Sequence, residues 1–106
     1  MNKYGNIRSS YKGHVFHSRK EAEFSRTLDT LRRATDPKQR VKDIEYQPRY
    51  PIVINGKKVC TYVGDFFVTF EDGHSVLYDV KGYRTDIFIL KKKLVEAVLG
   101  IEIVEV

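Results

Sequence analysis

Four residues have the types and spacing to do chemistry together: Glu21, Asp65, Asp79 and Lys81. The turn Glu71-Asp72-Gly73 separates two apolar runs, Tyr62 to Phe70 and His74 to Lys81. Three-residue hairpin loops place a type I turn first and a left-handed residue last, a position that suits Gly73. Such a loop makes Phe70 and His74 partners. The same register sets Asp65 directly across from Asp79 on one face, with Cβ atoms about 4.5–5.5 Å apart. Lys81, two residues beyond Asp79, shares that face. A two-residue turn would put the two aspartates on opposite faces.

Opposed aspartates in a mostly apolar sheet repel one another and lose hydration, so something positive must offset them. Lys81 is one candidate and a divalent cation the better one, since Mg²⁺ favours one or two carboxylates plus waters and phosphate oxygens. Glu21 can supply a third carboxylate and the Val80 carbonyl a further oxygen. A cation held there would polarise a phosphodiester and lower the pKa of a bound water. Lys81 would orient or deprotonate that water, or stabilise the developing charge.

The elements that must position these groups follow from pattern. Ser18-Arg19-Lys20-Glu21 has the form of a capping box, which predicts a helix to about Ala34. Its apolar stripe is Phe24, Leu28 and Leu31, and Glu21 extends that stripe toward the N-terminus. Val41 to Ile54 reads as extended, with Pro48 and Pro51 keeping it from being a central strand throughout. Asn55-Gly56 signals a hairpin, with strand residues from Lys57 to Cys60 and Tyr62 to Phe70. Asp86 can cap a second helix to about Leu99, with Ile87, Leu90, Leu94 and Val98 inward and Gly100 as its stop. Ile101 to Val106 reads as a final half-buried strand. The order helix, strands, helix, strand gives an α/β or α+β class with a mixed, mostly antiparallel sheet flanked by helices.

A chain of this length fits one domain, with residues 1–12 as a polar, basic arm. No apolar run approaches the roughly 18–20 residues of a bilayer span, and no secretory signal opens the chain. Cys60 is the one cysteine, which excludes an internal disulfide and a cysteine-rich zinc site and points to a reducing, cytoplasmic setting. The formal net charge of +5 favours polyanionic partners, because Lys and Arg displace counterions from phosphates.

Asp65 followed by Asp79-Val80-Lys81 resembles the PD-(D/E)XK nuclease signature, with Gly64-Asp65 in place of the Pro-Asp pair. The match is closer to small phage endonucleases related to Holliday junction resolvases. The run Gly13-x-x-Phe16-x-Ser18-Arg19-Lys20-Glu21-Ala22-Glu23 is similar there. So are Gln47-Pro48-Arg49-Tyr50, Tyr62-Val63-Gly64-Asp65-Phe66, Asp79-Val80-Lys81-Gly82 and Lys91-Lys92-Lys93-Leu94. His17 departs from that family's acidic residue. The resemblance implies a restriction-endonuclease-like core, with Glu21, Asp65 and Asp79 as ligands of Mg²⁺ or Mn²⁺ and Lys81 as the catalytic lysine. It also implies branched or structured DNA as substrate, in phage recombination or replication within the host cytoplasm. A junction's two-fold character predicts a homodimer.

Gln47, Arg49, Arg84, Lys91 and Lys93 are candidate nucleic-acid contacts. Lys91 falls on the expected stripe of the second helix and leans toward the sheet; charge runs such as 91–93 also occur as solvated faces. Tyr46, Tyr50, Tyr62 and Tyr83 can stack on splayed bases or serve as core. Glu21 can equally be the partner of the Ser18 cap, and Asp79 with Lys81 a solvated edge pair. Two other classes therefore stand beside the nuclease. One is a non-catalytic DNA-binding module with the same fold; the other is an interaction subunit whose last strand joins a partner's sheet.

Overall fold

A computed structural model describes residues 9–11, 14–16, 18–80 and 84–106. Strands β1 (Ser9–Tyr11) and β2 (His14–Phe16) form an antiparallel pair. Ser9–Tyr11, within the polar N-terminal arm, is thus paired backbone. Helix α1 (Arg19–Thr30) begins at Ser18, whose Oγ accepts the Glu21 N–H at 3.1 Å, and ends in the 3-10 turn Leu31–Arg33. Strands β3 (Val41–Tyr46), β4 (Arg49–Ile54), β5 (Lys57–Val63), β6 (Phe66–Phe70) and β7 (Ser75–Asp79) follow. Helix α2 (Asp86–Leu99) and β8 (Ile103–Glu105) close the chain.

The central sheet has the order β3-β6-β7-β8, antiparallel except for the parallel β7–β8 pair that α2 connects. Antiparallel neighbours arise from tight turns, whereas the parallel pair needs a crossover. β4 and β5 form a separate two-stranded sheet, closed by Asn55 and Gly56, both at positive φ as a two-residue hairpin turn requires. The extended stretch from Val41 to Ile54 breaks at Gln47, which adopts φ 51° before the buried Pro48. The chain can then leave the central sheet and start β4.

Two apolar clusters pack on opposite faces. On one, Ala22 and Leu28 of α1 meet Phe16, Val41, Phe66, Val68, Phe70 and Val80. On the other, Phe88 and Val95 of α2 meet Ile52 and Tyr62 of the hairpin, Leu77 of β7 and Ile103 of β8. Strand alternation produces this split, since Phe66 and Val68 point one way and Leu77 the other.

The expected inward face of α2 is corrected. Ile87, Leu90 and Val98 are 64%, 57% and 41% exposed, while Phe88 and Val95 are buried and Leu94 is partly buried. Ile87-Phe88-Ile89-Leu90 is apolar all round, so periodicity alone left the face open. The aromatic side chain, with the most apolar area to bury, takes the inward position against Tyr62. The cap is Thr85, whose Oγ1 accepts the Phe88 N–H at 3.0 Å, and Asp86 is the first helical residue. Gly100 ends the helix at φ 67° as expected. No helix among the described residues is long and apolar enough to cross a membrane.

Candidate active site

The site forms at one end of the central sheet, where β6 begins and β7 ends. The hairpin after β6 has the expected register: Phe70 and His74 are partnered, Gly73 takes φ 96°, and Phe66 pairs with Tyr78. Asp65 therefore stands beside Asp79, one residue before β6 and at the last residue of β7. The Asp65 N–H still donates to the Tyr78 carbonyl at 3.3 Å, while its Oδ2 accepts the Val80 N–H at 2.7 Å. That second bond pins the Asp65 carboxyl to the backbone just past Asp79.

Glu21 reaches the same place from α1. It is 5% exposed, and its carboxyl lies within hydrogen-bonding reach of Asp65. The capping and site roles divide within this one residue: its N–H is held by Ser18 and its carboxyl faces Asp65. Asp79 is fully buried. Burial first, then the charge of Asp79 and the hydrogen bond with Glu21, push the Asp65 carboxyl up to about 8, against the opposing pull of the Val80 N–H. Three acids thus share one electrostatic neighbourhood, and Asp65 keeps a proton near neutral pH.

The sequence immediately before Asp65 is set by packing. A Cβ on Gly64 would stand 2.7 Å from Leu77 Cδ1 and 3.5 Å from Pro48 Cγ, so the backbone here runs against the core. The Gly64 N–H donates to the Pro48 carbonyl, and the Gln47 N–H donates to the Asp65 carbonyl at 2.9 Å. Gln47 is exposed at the rim of the site, and Arg49 is exposed on β4.

Tyr62 enters from the other layer. It is 3% exposed, and its hydroxyl donates to Asp79 Oδ2. Burial, the bond to Asp79 and the nearby charges of Asp79, Asp65 and Glu105 raise its phenol well above the ordinary tyrosine value, so it remains a donor. From the sequence alone Tyr62 reads as a stacking or core tyrosine. Its place two residues before Gly64, at an inward hairpin position, was the available signal.

The basic candidates separate. Lys91 is half-buried, and its Nζ donates to the Thr61 carbonyl of β5 at 3.2 Å. Lys93 is exposed. Arg84 pairs with Glu105 at 2.7 Å, and Lys92 holds the other Glu105 oxygen at 2.9 Å, which lowers that carboxyl. Lys81 lies outside the described residues, as does Tyr83. A cavity of about 250 Å³ is lined by Thr61, Tyr62, Val63, Thr85, Ile87, Phe88 and Lys91. A larger one, about 400 Å³ between Phe67, Val76 and Ile101, is lined by Glu102 but by none of Glu21, Asp65 and Asp79.

No three acid, histidine or cysteine side chains among the described residues already stand as a closed cation cage. A hydrated Mg²⁺ does not need one, because it keeps several waters and takes one or two carboxylates. Glu21, Asp65 and Asp79 are hard oxygen donors whose mutual repulsion a cation would relieve, so as a donor set they fit.

A family model described as "Protein of unknown function (DUF1064)" matches residues 1–100. No curated protein and no solved structure matches the chain.

Proposed function

Since the chain belongs to a family of unknown function, DUF1064, we propose its activity from its own residues: a metal-dependent endonuclease of the PD-(D/E)XK type acting on DNA. The observation that carries this reading is the convergence of Glu21, Asp65 and Asp79 at one sheet end, two of them buried. Mg²⁺ or Mn²⁺ bound by these acids would polarise the phosphodiester and acidify a bound water. Asp65 releases its proton when it becomes a ligand, because the ligating form is the carboxylate. The Val80 carbonyl is a fourth candidate donor. Lys81, two residues past Asp79, aligns the attacking water and balances charge at the phosphate. Gln47 at the rim, with Arg49, Lys91, Lys93 and Arg84, supplies backbone contacts along the DNA; Arg84 must leave Glu105 to do so.

Branched or structured DNA suits two paired cuts, and paired cuts need two sites, hence a homodimer. The exposed Ile87, Leu90 and Val98 of α2 offer an apolar face for a second copy. One observation favours the non-catalytic module instead. With its proton, Asp65 can bond to Glu21 without any cation, so the acids can stand as core. The deciding assay uses a labelled four-way junction and its matched duplex with Mg²⁺, Mn²⁺ or EDTA, for wild type and Asp79→Ala. Cutting that needs metal and vanishes in a variant still able to bind DNA supports the nuclease. Binding by both proteins with no cutting replaces it with the module.

A further inference from the structure

Among the described residues buried in this cluster, Tyr62 carries the one hydroxyl, beside Ile52, Leu77, Phe88, Val95 and Ile103. A phenylalanine would fill the same space. A buried hydroxyl is unfavourable unless bonded, so its presence calls for a partner. That partner is Asp79, itself fully buried and on the neighbouring sheet. We propose that Tyr62 is a positioning residue, whose O–H sets the rotation of the Asp79 carboxylate so that the acids can accept a divalent cation. This inference rests on the metal-dependent reading of the site.

The geometry favours that role over simple satisfaction of a core tyrosine. A carboxylate turns about a broad, two-fold torsion, so an aspartate at a strand end has no fixed plane of its own. The Tyr62 ring does have one: it is packed beside Phe88 at 6.5 Å between centroids, against Ile52 at 0% exposed. A rigid ring thus holds one oxygen of a carboxylate whose own last torsion is broad. The site draws Glu21 from the layer on one face and Tyr62 from the layer on the other, with the aspartate pair between them. Outer partners that orient a metal ligand typically change affinity about 10–100-fold when removed.

The test measures Mn²⁺ affinity by calorimetry and thermal melting for wild type, Tyr62→Phe and Phe88→Leu. Position 62 is also replaced by 4-fluorophenylalanine, which fills the hydroxyl volume without donating. Both position-62 variants should bind Mn²⁺ about 10–100-fold more weakly while keeping the far-ultraviolet spectrum of wild type. Phe88→Leu loosens the same cluster and should lower the melting temperature while shifting affinity less than about threefold, since it keeps the O–H bond that fixes the ligand. Two results overturn the inference: position-62 variants that match wild-type affinity, or a Phe88→Leu loss as large as theirs. A wild type that neither binds Mn²⁺ nor cuts DNA removes the nuclease reading, and this inference with it.

Discussion

Replacing Asp65 by asparagine removes a charge and leaves both hydrogen bonds possible. The amide oxygen can accept the Val80 N–H as Oδ2 does, and the amide nitrogen can donate to Glu21. In the native protein the Asp65 carboxyl rises from an ordinary 3.8 to about 8. The folded state therefore holds the proton more tightly than the unfolded chain. Its contribution is fully present below pH 3.8 and is lost as pH rises through about 8. Each unit corresponds to about 1.36 kcal/mol, which puts a ceiling of roughly 5–6 kcal/mol on the loss. Solvent screening at this partly open carboxyl reduces the working figure to about 2 kcal/mol.

An asparagine at 65 escapes that loss at every pH. For a domain of this size, 1 kcal/mol moves the melting temperature by about 4–8 °C. In EDTA, Asp65→Asn and wild type should melt within a few degrees of one another at pH 4.5. The variant should then pull ahead with rising pH, to about 10 °C at pH 9. Millimolar Mg²⁺ should close or reverse the gap at pH 9 by stabilising wild type alone, by about 2.7 kcal/mol at a hundred times Kd. Melting curves by circular dichroism across that range decide the matter. A gap that does not change between pH 4.5 and 9, or one that favours wild type at high pH without metal, refutes the electrostatic account of this site.

Gly64→Ala should cost about 1–3 kcal/mol, read by urea denaturation, because its new methyl group meets the fully buried Leu77. Phe88→Ala should destabilise by about 3–5 kcal/mol, whereas Ile87→Ala should stay within about 0.5 kcal/mol; the reverse ranking would restore the helix face that periodicity suggested. Leu90→Lys should leave the melting temperature near wild type yet yield monomer in sedimentation, if α2 carries the contact between copies. Lys81→Met should retain Mn²⁺ binding and lose roughly 10²–10⁴-fold in cleavage rate, as removal of a proton-handling group does.

Much of the site was legible because local rules fixed it. Gly73 dictated the hairpin register, and the register put Asp65 beside Asp79. Ser18 and Glu21 announced the start of α1, and the stripe through Leu28 aimed the glutamate inward. What was not legible depended on layers meeting. The four apolar residues at the start of α2 fit several faces, and only the space beside Tyr62 selected Phe88. Tyr62's place just before Gly64 hinted at an inward position, but its bond to Asp79, seventeen residues away on a different sheet, depends on how the two sheets meet. Gly64 was visible as a departure from a proline, but the Leu77 contact that a side chain there would clash with belongs to the folded core.

The strain in this site and its proposed chemistry have one source. Three acids brought together without a cation leave Asp65 holding a proton, which sets metal-free stability against metal readiness as pH rises. The fold tolerates this because the described elements that carry the acids and Tyr62 are each stabilised elsewhere. Glu21 rides on a helix anchored through Ala22 and Leu28, Tyr62 on a hairpin anchored through Ile52, and the aspartates on strands anchored through Phe66 and Leu77. Removing any single charge should therefore leave the fold intact and relax it. That separates an active site from a structural ion cluster, in which loss of one partner leaves its mate buried and uncompensated and is strongly destabilising.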